Sequence, residues 1–341
     1  MRRILVILIA GLSTGFVGNA QDLHFSQWFN SPLTTNPANT GFIPDADYRL
    51  GANYRNQWSS IMTTPYKTMS VWGDAQVFRD RIETGWVGLG GAILRDVAGT
   101  GALTSTKVYA SVGYHQMIAE AHLLSAGFNI GWANKRINQS NLKFPDQFDG
   151  KFFDNTLPTS VYLDNPNINY FDVQVGMNYA YFPSENLYIN AGASVHHLNK
   201  PRESFFDSDA TGVDNQVAPR YIAFANASYK LNQDVIINPM AYYTRQVTAS
   251  EFVIGGNVQY NLTGDGESQL FGGLYMRPGD AIFPMVGFQY KNIRLMFTYD
   301  VTISKLSQFN NSRGAYEFGL IYNGMYDEYN GDKRQSFCPS F

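Results

Sequence analysis

From about residue 46 to residue 325 the chain alternates apolar and polar positions in about fourteen short segments, the two-residue period of strands with unlike faces. The clearest runs from 292 to 304. Ile293, Leu295, Phe297, Tyr299, Val301 and Ile303 share one face, while Asn292, Arg294, Thr298, Asp300, Thr302 and Ser304 share the other with Met296 among them. The same pattern sets Phe171, Val173, Val175, Met177, Tyr179 and Tyr181 against Asp172, Gln174, Gly176 and Asn178. It returns with Phe252, Ile254, Val258 and Tyr260 against Asn257, Gln259 and Asn261. An alternating strand crosses a bilayer in about 10 residues, and the polar faces are too wet for a sandwich core but suit a lumen. The pattern predicts an all-β chain, a transmembrane antiparallel up-and-down β-barrel of about 14 strands in the outer membrane.

The joins between segments sort by length. Even-to-odd joins, near 79–83, 119–120, 183–185, 231–233, 263–268 and 291, are short. Odd-to-even joins include 137–167 and 198–216, by far the longest, with shorter ones near Ser60, Ala98, Val247, Pro278 and 307–312. Outer-membrane barrels keep periplasmic turns short and let outer loops grow. An even strand number then places the residues before and after the barrel together in the periplasm.

The chain's start reads as an export signal: Arg2 and Arg3, an apolar run from Ile4 to Ala10, and Gly18 and Ala20 at small-residue cleavage positions. The expected organisation is a signal peptide at 1–20, a periplasmic or plug segment at 21–45, the barrel at 46–325 and a C-terminal periplasmic tail at 326–341. Charged residues are 16% of the chain, below the roughly 25% of soluble domains. Aromatics reach 15%, which suits interfacial girdles. A net charge of -3 offers no basic footprint for nucleic acid. Cys338 stands alone, so no internal disulfide is available.

Three groups of residues are candidates for partner binding. In the block from Gln21 to Gly41, Phe25 and Trp28 belong to an aromatic cluster, and Asn36 and Pro37 sit at a break in regular structure. That block either plugs or rims the barrel, or binds a partner. Arg55, Asn56 and Trp58 form a second group. Arg294 and Asp300 share a strand face, and Glu317 falls on the polar face of the next strand, a buried ion network that either stiffens the wall or contacts an inserted peptide.

Catalytic and metal chemistry find little support. His196 and His197 are adjacent in a strand, so their side chains are expected on opposite faces and away from a shared metal. Gly88-Leu89-Gly90-Gly91 reads as close packing or bending of the wall rather than a phosphate cradle. The loop Asp207 to Val213 spaces oxygen ligands as a calcium loop does but has Ala218 at its twelfth position, and an acidic turn is the simpler reading. Asp265 and Glu267 read as solvated turn charges. No cofactor and no metal are expected.

The N-terminal block, followed by Tyr54-Arg55-Asn56-Gln57-Trp58 and Pro65-Tyr66, then Tyr299-Asp300-Val301-Thr302-Ile303-Ser304-Lys305-Leu306, Tyr316-Glu317 and Cys338-Pro339, resembles the PorP/SprF family of the Bacteroidota type IX secretion and gliding apparatus. The likeness spans almost the whole mature chain. Ala315-Tyr316-Glu317 stands where the family carries a Ser-His-Glu-like triplet. The resemblance implies a non-enzymatic outer-membrane barrel. Its expected partner is either the C-terminal domain of a large secreted surface protein, often an adhesin, or machine components such as a periplasmic lipoprotein or a peptidoglycan-binding protein, with membrane lipid around the wall. The alternative is a general porin or solute channel.

Overall fold

The computed structural model describes residues 25–326 except 80, 100–102, 140, 141, 143, 155, 162, 207–214 and 265. The signal-like start, Cys338, the calcium-like loop and Asp265 lie outside the described residues, as does the tail beyond residue 326. The strands are β1 (Tyr48–Gln57), β2 (Tyr66–Val77), β3 (Gly85–Ala98), β4 (Leu103–Ala119), β5 (His122–Arg136), β6 (Asn167–Ser184) and β7 (Leu187–His196). They continue with β8 (Arg220–Lys230), β9 (Val235–Gln246), β10 (Ala249–Asn261), β11 (Ser268–Arg277), β12 (Ala281–Tyr290), β13 (Ile293–Thr302) and β14 (Arg313–Gly324). Each pairs with its sequence neighbours, and β14 pairs with β1, so the fourteen strands close into one antiparallel barrel. Closure leaves no strand edge in the hydrocarbon, where an unpaired N–H or C=O costs several kcal/mol.

Side-chain alternation decides which face meets lipid. On β13, Ile293, Leu295, Phe297, Tyr299 and Val301 point outward, while Arg294, Met296, Thr298, Asp300 and Thr302 point into the lumen. The same outward set includes Val71, Ile93, Val112, Phe171, Leu274 and Val286, all exposed. Short joins mark one end. Among the joins, 120–121, 185–186 and 291–292 lie at the end where the barrel begins and finishes, and the long joins 137–166 and 197–219 lie at the other. Val247 and Lys291 take positive φ of 54° and 52° in two-residue joins, the backbone that lets a tight hairpin follow strand twist.

The segment before β1 runs within the barrel. Residues 25–47 lie inside the lumen as a 3-10 turn (Trp28–Asn30), one α-helical turn (Pro32–Thr35) and a second 3-10 turn (Pro37–Asn39), nearly every residue buried. Fourteen strands enclose a width between eight-stranded barrels filled by side chains and the open channels of sixteen or more, so a folded segment has room. Its side chains join three apolar clusters on the inner wall. Trp28 packs with Phe224, Tyr242, Tyr275 and Phe283. Phe25 and Leu33 pack with Trp72 and Tyr109, and Phe42 with Trp86, Phe182 and Tyr188. The apolar core of this barrel is therefore at its axis, built jointly by wall and inner segment.

Candidate functional site

The inner segment is gripped at three levels, each set by strand register. Toward the long-loop end, Arg55 on β1 lies opposite Glu317 on β14, which lies opposite Thr298 on β13. The Glu317 carboxylate accepts the backbone N–H of Ser26 at Oε2 and of Gln27 at Oε1, both at 2.9 Å. Arg55 donates to Ser26 Oγ at 2.6 Å and to Glu317 at 3.2 Å, and reaches Asp300 at 2.8 Å. Ser26 Oγ in turn donates to Asp300 at 3.0 Å, while Gln27 donates to Thr298 Oγ1 and to the Glu317 carbonyl. Charge and hydrogen-bond donors thus converge on two residues of the segment, all buried, where an unpaired charge is costly.

Arg277, at the end of β11, completes this clasp. It donates to Ser26 Oγ at 3.1 Å, pairs with Asp280 at 2.8 Å and Glu251 at 3.4 Å, and stands over the Phe283 ring.

At mid-barrel the wall itself makes space. Gly88, Gly113, Gly127 and Gly176 are direct partners across β3, β4, β5 and β6, a row of four glycines on the lumen face. A Cβ at Gly88 would stand 1.9 Å from the Thr40 carbonyl oxygen, at Gly127 2.2 Å from Pro37 backbone, and at Gly176 1.9 Å from Asn36 Oδ1. Glycine in a strand interior often marks close approach of another backbone, and here the segment lies along the row. Asn36 caps the second 3-10 turn through the Ala38 N–H and donates to the Met177 carbonyl, both at 2.9 Å. The Thr40 carbonyl accepts from His115 Nε2 at 2.8 Å. Because a carbonyl only accepts, that bond fixes the proton on Nε2, and His115 Nδ1 then accepts from Ser125 Oγ at 2.8 Å.

Toward the end where the barrel begins, Arg49 and Asp74 are direct cross-strand partners joined by a bidentate pair of 2.8 and 2.9 Å. Asp74 also accepts from the Gly41 N–H at 2.7 Å, and Arg49 donates to the Asn39 carbonyl at 2.9 Å. Trp86 Nε1 donates to the Gly41 carbonyl at 2.8 Å and stacks on His115.

Of the candidate residues, the structure brings together Arg55, Asp300 and Glu317, and packs Phe25, Trp28, Asn36 and Pro37 inside the same lumen. Three lie elsewhere. Arg294 shares the lumen face of β13 with Asp300, but six residues put it about 20 Å away along the strand; it donates to Gln289 and stacks over Phe271. The ion network therefore forms without it. Asn56 follows Arg55 by one residue and so points outward, donating to Tyr316 OH at 2.8 Å. Trp58 sits past the end of β1 with φ of 59° and packs edge-on against Tyr66. Sequence reasoning missed Arg277, Arg49 and Asp74. Each sits on a polar face, a signal legible only once register names its neighbours.

The expectation for His196 and His197 also changes. β7 ends at His196, and His197 takes φ of 55°, so the alternation stops and both rings are buried. His197 Nδ1 meets Asp172 at 2.8 Å, and Tyr109 OH donates to the other Asp172 oxygen at 2.8 Å.

The long-loop end presents apolar surface. Phe148 and Phe153 bridge a hairpin in the 137–166 join with rings 5.1 Å apart, and Phe152 between them is 65% exposed. Asp146 ties the loop across its base by accepting from Ser160 N at 2.6 Å, Ser160 Oγ at 2.8 Å and Thr159 Oγ1 at 2.9 Å. These bonds to Ser160 and Thr159 hold its carboxyl below the usual aspartate range.

Comparison with known proteins agrees with this architecture. No curated protein matches the sequence. Among solved structures, a Pseudomonas aeruginosa FadL homologue is 9% identical over 86% of this chain and 94% of that chain, with a TM-score of 0.51. The P. putida toluene transporter TodX is 10% identical over 87% of this chain and 94% of that chain, with a TM-score of 0.49. At the first of these values the likeness is one of barrel fold alone. The family described as type IX secretion system membrane protein PorP/SprF matches residues 17–322. That match runs through the lumen segment and nearly all of the closing strand, and the chain belongs to the PorP/SprF family of type IX secretion outer-membrane proteins.

Proposed function

We propose that this barrel works as a non-enzymatic receptor of the type IX system, holding the C-terminal domain of a secreted surface protein on its long-loop end. The observation that carries the reading is the filled lumen. Residues 25–47 occupy the barrel axis and are bonded to β1, β2, β4, β6, β13 and β14, which supports a receptor over an open diffusion channel. The ions expected to greet an inserted peptide, Arg55, Asp300 and Glu317, already bind the chain's own Ser26 and Gln27. Partner contact then falls to the loops, where Phe148, Phe152 and Phe153 stand exposed, as do Leu198 and Phe206 of the 197–219 join. Exposed aromatics on the outer loops suit a protein partner, since such residues dominate interface hot spots.

A mild-detergent pull-down of the tagged barrel from native outer membranes, with crosslinking and mass spectrometry, tests this. Recovery of one large secreted protein through its C-terminal region, lost in a triple Phe148→Ser, Phe152→Ser, Phe153→Ser variant, is the expected result. Recovery of periplasmic lipoprotein or peptidoglycan-binding components instead assigns the docking role to the other end. Large steady currents from the purified barrel in planar bilayers overturn the receptor reading in favour of a solute channel.

A further inference from the structure

The outward face of the wall carries charge of one sign, and at one end. Every acid in the fourteen strands, namely Asp74, Asp96, Asp172, Glu251, Asp300 and Glu317, lies on the lumen side of the alternation. The charged side chains on the outward face are Lys67, Arg95, Arg136, Arg245 and Arg313, all exposed. Each stands in the last few residues at the long-loop end of its strand. Long cations that only lift their charge from hydrocarbon into water are expected at both rims. At the short-join rim no strand turns a Lys or Arg outward.

Three of these cations gather on neighbouring strands. Register sets Lys67 on β2, Val97 on β3, Thr104 on β4 and Arg136 on β5 in one lateral row. Arg95 on β3 stands two residues below that row, level with Met69 and Thr106. Strand spacing and rise put Lys67 and Arg136 about 14 Å apart and Arg95 about 7 Å beneath their row. Among the described residues, none of the three has a hydrogen bond or ion pair. Directly below, Val71, Ile93, Val108, Trp132 and Phe171 form a continuous cross-strand row, every one exposed. Unpaired positive charge thus borders a smooth apolar surface.

We propose that Lys67, Arg95 and Arg136 form a binding site for a phosphorylated glycolipid of the outer leaflet. Phosphate oxygens match the planar fork of Arg and the point charge of Lys. The acyl chains of the same molecule lie along the row from Val71 to Phe171. A soluble anion meets the charges and leaves that row to other lipids, so one molecule with both parts fits best. A phospholipid offers one phosphodiester at one point, whereas cations spread over about 14 Å suit a sugar headgroup that carries its phosphates apart. The site faces lipid and is independent of whichever protein the loops bind, requiring only that the long joins face outside.

The test is a titration of the purified barrel, in an uncharged detergent, with diphosphoryl lipid A, the bound lipid being counted by native mass spectrometry. Saturable retention of one lipid is expected. Combining Lys67→Gln, Arg95→Gln and Arg136→Gln raises the dissociation constant about a hundredfold, about fivefold for each cation lost beside an anionic headgroup. Arg245→Gln removes an outward cation of β9, away from the site, and leaves the constant unchanged. Each variant is first shown to keep the heat-dependent gel shift of a folded barrel, and the three single variants carry the test if the combined one does not fold. Lipid A stripped of phosphate, with the same acyl chains, and phosphatidylglycerol are each expected to bind more weakly by about tenfold or more. Inorganic phosphate at the lipid's concentration should not displace it. Unchanged affinity in the cation variants, equal weakening by Arg245→Gln, equal binding of either comparison lipid, or displacement by inorganic phosphate overturns the proposal.

Discussion

Gln27 and Glu317 are 290 residues apart in the chain and 2.9 Å apart in space, backbone N–H to carboxylate. That bond, with its neighbour from Ser26, joins the inner segment to the closing strand of the wall. Removing the carboxylate leaves Arg55 short of a partner and two amides unmet. Glu317→Ala is expected to cost about 3–5 kcal/mol, the range for breaking one side of a buried ion pair. The measurement is urea unfolding in micelles followed by tryptophan fluorescence. Single-channel recordings on the same variant are expected to show openings that the native barrel lacks; a silent bilayer together with native stability contradicts the role given to this carboxylate.

The glycine row makes a sharper prediction because it has an internal control. Gly127→Ala drives a methyl group to 2.2 Å from the backbone of Pro37, whereas Gly272, on β11, has nothing within 4 Å of a Cβ. Overpacking of this kind costs about 1–3 kcal/mol and sometimes more. Gly127→Ala should lower the temperature of the gel-shift transition and expose residues 25–47 to protease. Gly272→Ala should do neither.

Trp28 stacks on Tyr242 with ring centroids 5.1 Å apart and touches Phe224 at 5.7 Å. Truncating a buried Trp to Ala costs about 3–5 kcal/mol. A Trp28→Ala barrel is expected to retain its wall, because the strand ladder is untouched, while losing near-ultraviolet circular dichroism from the aromatic cluster. Loss of the strand signal as well places the segment on the folding path of the wall itself.

The long outer loop should respond to acid. Asp146 is held below its ordinary range in the folded loop, so the unfolded loop binds the proton more readily. Its contribution is complete above the ordinary aspartate range and disappears as pH falls through the lower folded value. Protease cleavage between 137 and 166 is therefore expected to rise at acid pH in the native barrel. In Asp146→Asn it should already be raised at neutral pH and rise less on acidification, the remaining response coming from Asp149 and Asp154, which bonds to Phe152 and to Thr156 also hold below the ordinary range.

Much of the wall was legible because lipid on one side and a polar interior on the other force an alternation that sequence displays directly. The outward set on β13, from Ile293 to Val301, matches the reading residue for residue. Face alone, however, says nothing of level: Arg294 and Asp300 share a face yet serve different neighbours. It also needs correct phase, and Asn56 falls outward because Arg55 beside it falls inward. The inner segment was harder. Its three short turns, broken by Pro32 and Pro37, carry no period that marks a burial direction. Gly88, Gly113, Gly127 and Gly176 look unrelated along the chain, since their common role exists only after four strands are set in register.

The grip of β14 on Ser26 and Gln27 bears on how the barrel is made. The segment that precedes the wall receives its anchor from the last strand of the wall, and contacts so distant in sequence form late and slowly. Until β14 joins β1, Ser26 and Gln27 lack the carboxylate that holds them, so a chain truncated before Glu317 is expected to leave the inner segment loose and open to proteolysis. The clasp thus doubles as a test of completeness, in which the far end of the chain certifies that the near end is seated.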